Sequence, residues 1–91
     1  MIENEPVLLA IDLGTTRVAL RLVDLATGAH LAEHGCDNPQ TAIGPDVLAR
    51  IHHADTPGGL EELRHLIVGG LNDGLAVACR SAGLAPEDVA L

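Results

Sequence analysis

Phenylalanine, tyrosine and tryptophan are absent from the 91 residues of this chain. Without aromatic rings there is no platform on which unpaired bases stack, which excludes the common single-strand and RNA readers. Lysine is absent as well: all five basic residues are arginine, against 13 Asp and Glu, and the formal net charge is −8. A polyanion would meet repulsion in place of counterion release, so nucleic acid is not an expected partner. The same acidity argues against docking on an anionic membrane. No apolar run reaches transmembrane length and no secretory signal is present, so the chain reads as soluble and cytoplasmic. Cysteine is sparse. Cys36 and Cys79 have no CxxC spacing and are expected as free thiols in a reducing compartment.

What is present is enough for one small folded domain, with 47% apolar residues. Residues 6–36 read as an antiparallel meander of three strands. Pro6 to Asp12 is a nearly continuous apolar run, the pattern of a strand buried on both faces. Arg17 to Asp24 alternates, with Val18, Leu20 and Leu22 on one side and Arg17, Ala19, Arg21 and Val23 on the other. Gly28 closes the following turn with a positive φ, and Ala29 to Cys36 returns as the third strand. On that strand His30, His34 and Cys36 share parity, but His30 and His34 are roughly 13 Å apart on an extended chain, too far for one metal ion.

Residues 45–83 read as two helices. The Asn38-Pro39-Gln40 and Ile43-Gly44-Pro45 segments punctuate the entry. Asp46 places negative charge at the first helix N-terminus, and Val47, Leu48, Ile51 and Ala54 give it an apolar stripe. Adjacent His52 and His53 point in different directions and are expected in solvent. Thr56-Pro57 predicts the cap and first turn of a longer helix carrying Leu60, Leu63, Ile67, Leu71, Leu75 and Ala78. Gly69, Gly70 and Gly74 either let this helix approach the sheet closely or break it, and Gly83 stops it. Pro86-Glu87-Asp88 reads as a turn and residues 89–91 as the start of a further strand, which suggests a piece of a larger protein. The fold class is therefore α+β, β-β-β followed by two helices.

The first hairpin turn carries the chemistry. In Asp12-Leu13-Gly14-Thr15-Thr16, Gly14 permits close backbone approach, consecutive amides form a concave nest, and the threonine hydroxyls donate to a phosphate. Asp12 could hold magnesium through its water shell. The same residues also make an ordinary hairpin turn. There is no Ser-His-Asp set and no close pair of catalytic carboxylates, so no residue of this chain is expected to be catalytic.

The turn resembles the first phosphate motif of the acetate and sugar kinase, heat-shock chaperone and actin superfamily. The resemblance implies a ribonuclease-H-like, actin-like ATPase fold of which this chain is the first subdomain. It also implies that Gly14, Thr15 and Thr16 lie under the β- and γ-phosphates of ATP and that Asp12 orients hydrated magnesium. Arg17 departs from the pattern, where many relatives have a smaller polar residue. A second block, Asn38-Pro39-Gln40 with Gly44, Asp46-Val47 and Arg50-Ile51, is similar to the ATPase domain of reductive activators of corrinoid proteins. That likeness runs over most of residues 6–91. It implies a larger protein in which ATP drives electron transfer from a 2Fe-2S ferredoxin domain, outside this chain, to a corrinoid protein. The second phosphate loop and the adenosine pocket would lie beyond Leu91, so turnover and strong nucleotide binding are not expected of the 91 residues alone. Asn38, Gln40, Asp46 and Arg50 are open to two readings, contacts to a partner or closing lobe, or caps and bridges within the chain. The competing class is an interaction module that keeps the fold without nucleotide and pairs, as a homodimer or with another chain, through an exposed sheet edge.

Overall fold

The computed structural model describes residues 6–89. Its frame is one antiparallel sheet in the order β1-β2-β3, with β1 Val7–Leu13, β2 Arg17–Asp24 and β3 His30–Asp37. A short 3-10 turn, Pro39–Ala42, leads to α1 Val47–Ala54 and then to α2 Gly59–Ala82. The period of two in β2 produces the core directly: Val18, Leu20 and Leu22 are 2%, 0% and 0% exposed. Helix α2 lies across that face, packing on β2 and β3. Val7, Leu22, Ala78 and Cys79 form the buried cluster, with Leu9, Ala32, Leu75 and Leu84 packed against it.

The three glycines do not break α2, which runs unbroken from Gly59 to Ala82. Gly74 is a point of close approach, since a Cβ there would lie 2.9 Å from Leu20 Cδ1 and 3.4 Å from His34 Cδ2. Gly70 similarly makes room for the Pro39 ring, 2.8 Å from where its Cβ would sit. The helix ends at Gly83, whose φ of 73° lets the chain turn back while Leu84 N–H donates to Cys79 O at 2.8 Å.

Four expectations are corrected. β1 is not buried on both faces: only Val7 is, and Leu8, Ala10, Ile11, Asp12 and Leu13 are exposed, because β1 lies beside the strands that α2 covers. β3 runs from His30 to Asp37, and a register shift opposite Leu22/Val23 pairs His30 with Val23 but His34 with Leu20 and Cys36 with Val18. The irregularity takes His30 off the face shared by His34 and Cys36. Thr56 does not cap α2; its hydroxyl donates to His53 O at 2.6 Å, finishing α1, and the cap position is Gly58 at φ 76°. The apolar stripe of α1 does not enter the core either. Val47, Leu48 and Ile51 are 53%, 79% and 55% exposed, while Arg50 is the buried residue of that helix. Val47 and Ile51 open instead onto a groove shared with Leu60 and Leu63 of α2.

Pro86–Asp88 forms a second 3-10 turn, after which Val89 pairs in parallel with Val7. The expected strand at 89–91 is thus described only at Val89, and Ala90 and Leu91 lie outside the described residues. Among the described residues no helix is long and apolar enough to cross a membrane.

Both cysteines are free. Cys79 is 1% exposed, and burial, with the nearby Asp88 and Glu87 carboxylates, pushes its thiol above the ordinary range. Cys36 is half-buried. Iodoacetamide is therefore expected to modify Cys36 in the native protein, and Cys79 only as fast as the fold opens. Peptide mapping over a time course checks the order; simultaneous labelling would mean that α2 does not stay on the sheet.

Candidate functional site

The turn between β1 and β2 is held from behind by residues far along the chain. Across its mouth Gly14 N–H donates to Arg17 O at 2.9 Å. Gly14 is needed for space, since a Cβ there would stand 2.7 Å from the Arg17 carbonyl oxygen. Its φ is not positive; among the described residues only Gly28, Gly58 and Gly83 have that conformation.

Three successive carbonyls of the turn each accept a hydrogen bond from the segment that follows the sheet. Asn38 Nδ2 donates to Gly14 O at 2.9 Å, Arg50 Nη2 to Thr15 O at 2.6 Å, and Asn38 N–H to Thr16 O at 2.8 Å. In a trans peptide the carbonyl and the next N–H point in opposite directions. With Gly14 O and Thr15 O drawn inward, the N–H groups of Thr15 and Thr16 are aimed away from the segment behind. Neither amide has a hydrogen-bond partner among the described residues, and both threonines are exposed. Two consecutive outward amides with flanking hydroxyls suit an anion, and phosphate oxygens match that donor set.

Asp12 stands beside the turn, opposite Ala19 on β2, and its carboxylate is unpartnered among the described residues. It lines an open cavity of about 180 Å³ with Ala10, Ala19, Arg21 and Glu33. Arg21 Nη2 donates to Glu33 Oε1 at 3.2 Å, and Arg17 Nη1 to Asp37 Oδ1 at 2.9 Å. Arg21 and Glu33 were not singled out by any motif, although the period of two in β2 already puts Arg21 and Ala19 on one side. No group of three or more His, Cys, Asp or Glu among the described residues is placed to hold a metal. A lone carboxylate suits a cation that keeps most of its water shell, as magnesium does.

Asn38, Gln40, Asp46 and Arg50 of the second block are all engaged within the chain. Asn38 is 2% exposed; besides its two bonds to the turn, its Oδ1 accepts Gln40 N–H at 2.9 Å and caps the first 3-10 turn. Gln40 Nε2 donates to Leu63 O at 3.0 Å and so ties that turn to α2. Asp46 Oδ1 accepts Ala49 N–H at 2.8 Å, capping α1. Arg50 Nε donates to Gly44 O at 2.8 Å while its Nη2 reaches Thr15. The structure thus brings Asn38 and Arg50 to the phosphate-type turn, whereas Gln40 and Asp46 brace the elements behind it.

A strand with an unpartnered Asp near its end, a two-threonine turn with its amides outward and a helical layer behind make up a hairpin module whose exposed donors are of the kind that suits an anion. The chain belongs to the RACo middle region family, whose model matches residues 7–91. It is similar to a corrinoid activation enzyme, RamQ, of Eubacterium limosum, with 33% identity over 82 residues, 89% of this chain and 14% of that protein. It is also similar to the solved structure of a reductive activator for corrinoid, iron-sulfur protein, at 36% identity and a TM-score of 0.91, covering 98% of this chain. The chain spans 14% of the length of each of these relatives.

Proposed function

We propose that this chain is the phosphate-binding part of an ATP-dependent reductive activator acting in the cytoplasm on a corrinoid protein. The observation that carries the proposal is the turn itself: the Thr15 and Thr16 amides face outward because the carbonyls paired with them are tied down by Asn38 and Arg50. In this reading Gly14, Thr15 and Thr16 bind the β- and γ-phosphates, and Asp12 accepts hydrogen bonds from magnesium-bound water. Magnesium-ATP, when bound, supplies the phosphoryl group whose hydrolysis drives the uphill reduction. The 2Fe-2S centre that donates the electron belongs to a domain outside this chain, and the corrinoid protein is its partner.

The test is an amide-resolved NMR titration of the chain with magnesium-ATP, run beside Asp12→Ala. Shifts centred on Gly14, Thr15 and Thr16 that lose their dependence on magnesium in the variant are the expected result, with millimolar affinity because few contacts hold the nucleotide. A second reading, pairing through a sheet edge, is favoured by β3, whose outer edge has no neighbour among the described residues. A turn that stays silent at millimolar nucleotide, in a chain that sediments as a dimer, would replace the first reading with the second.

A further inference from the structure

Arg50 is a buried cation with an unusual set of partners. It is 9% exposed, and its guanidinium donates to two carbonyl oxygens, Gly44 O at 2.8 Å and Thr15 O at 2.6 Å. None of the four ion pairs among the described residues includes it. Taking a guanidinium out of water without a carboxylate to meet it is costly, and neutral carbonyls offset only part of that cost. The approach is built for. Gly44 leaves room where a Cβ would stand 2.9 Å from both Arg50 N and Arg50 Cγ. A helix whose apolar residues are left at the surface has its arginine inside, directed at one carbonyl of the turn.

The consequence follows from peptide geometry. The Thr15 carbonyl and the Thr16 N–H belong to one planar unit and point in opposite directions. A cation on the oxygen holds that plane in place and withdraws electron density, which strengthens the N–H as a donor on the far side. Asn38 does the first of these for the preceding unit, through Gly14 O, without adding charge. Arg50 does both. In a chain of net charge −8 it also places a positive charge directly behind a turn whose Thr15 and Thr16 amides have no partner among the described residues.

We propose that Arg50 is the positioning residue of the phosphate turn, fixing the Thr15–Thr16 peptide and supplying the local positive charge that lets an acidic chain accept a polyphosphate. This rests on the phosphate reading of the turn. Arg50 acts through Thr15 and does not touch the ligand. Its effect is on the anion, whereas that of Asp12 is on the metal, and the two separate in a titration.

The experiment follows isotope-labelled chain, wild type, Arg50→Met, Arg50→Lys and Asp12→Asn, with ATP in the presence and absence of magnesium. Arg50→Met is expected to weaken ATP about tenfold under both conditions, the worth of one hydrogen bond to a charged group. Arg50→Lys, which restores the charge but not both hydrogen bonds, is expected to fall between wild type and Arg50→Met. Asp12→Asn is expected to abolish the gain from magnesium, a response that Arg50→Met retains. In the wild type the Thr15 carbonyl and Arg50 Nε–H resonances are expected to move with the Thr16 amide along one binding curve. That readout stands even if Arg50→Met does not fold. A Thr16 amide that titrates while the Arg50 Nε–H and Thr15 carbonyl stay still overturns the role of Arg50 and leaves the phosphate reading intact. So does wild-type affinity in Arg50→Met. No binding by the wild type, with or without magnesium, overturns both.

Discussion

Leu20→Ala is expected to destabilise the domain by about 3 kcal/mol, within the range of about 2–5 for emptying a fully buried leucine site. Leu20 is 0% exposed, and its side chain lies where α2 presents Gly74. A helix backbone cannot collapse into the vacated space as a flexible side chain would, so the cavity persists. For a domain of this size, whose total stability is about 5–10 kcal/mol, that loss brings unfolding close to ambient conditions. Urea denaturation followed by circular dichroism checks it, as a fall in midpoint with an unchanged slope. The Leu20→Ala, Gly74→Ala double variant tests the cause. Gly74→Ala alone sets a helix-propensity gain of about 1 kcal/mol against overpacking on Leu20. Combined with Leu20→Ala, the new methyl enters space already vacated, so the pair is expected to be more stable than the sum of the single changes. Strict additivity would mean that Gly74 and Leu20 do not share a packing site.

Asn38→Ala is the second large effect, and it reaches the turn as well as the fold. It removes the donor to Gly14 O and the acceptor for Gln40 N–H at a residue 2% exposed. Two polar groups lose their partners, and the expected cost is about 2–3 kcal/mol. Asn38→Asp separates the two functions. A carboxylate still accepts from Gln40 but has no hydrogen to give Gly14, and it repels that carbonyl. Both variants are expected to shift the Gly14 and Thr15 resonances and to weaken magnesium-ATP binding, while only Asn38→Ala loosens the 3-10 turn. Hydrogen exchange at Gln40 and a nucleotide titration report the two outcomes separately. Equal exchange at Gln40 in both variants would mean that the cap does not depend on the Asn38 side chain.

The corrections to the fold share a cause. In β2, Val18, Leu20 and Leu22 alternate with polar or smaller residues, and the strand has one buried face as that spacing predicts. In β1 an equally apolar run has no partner layer over most of its length, and five of its seven residues are exposed. Hydrophobic content states what a segment is able to bury, while coverage is decided by where α2 crosses the sheet. The same distinction explains α1. Its stripe is real, yet the satisfaction of Gly44 O and Thr15 O by Arg50 decides which side of the helix turns inward.

The candidate site divides in the same way. Asp12, Gly14, Thr15 and Thr16 are legible because a turn, its glycine and its hydroxyls sit within five consecutive residues, where local geometry decides what can meet. The residues that aim its amides are separated from it by 24 positions for Asn38 and Gly14 and by 35 for Arg50 and Thr15. No periodicity records such a pairing, since Asn38 and Arg50 carry the same local signal as a cap or a surface contact. The sequence by itself determined the three strands, the hairpin at Gly28, the helix stop at Gly83 and the place of the Asp12–Thr16 turn, all through short-range backbone preferences. Only the tertiary structure decided that β1 stays uncovered, that His30 leaves the face of His34, and that a buried arginine stands behind Thr15. Those outcomes depend on which distant groups satisfy buried carbonyls and fill the space beside glycine, and packing alone sets those distances.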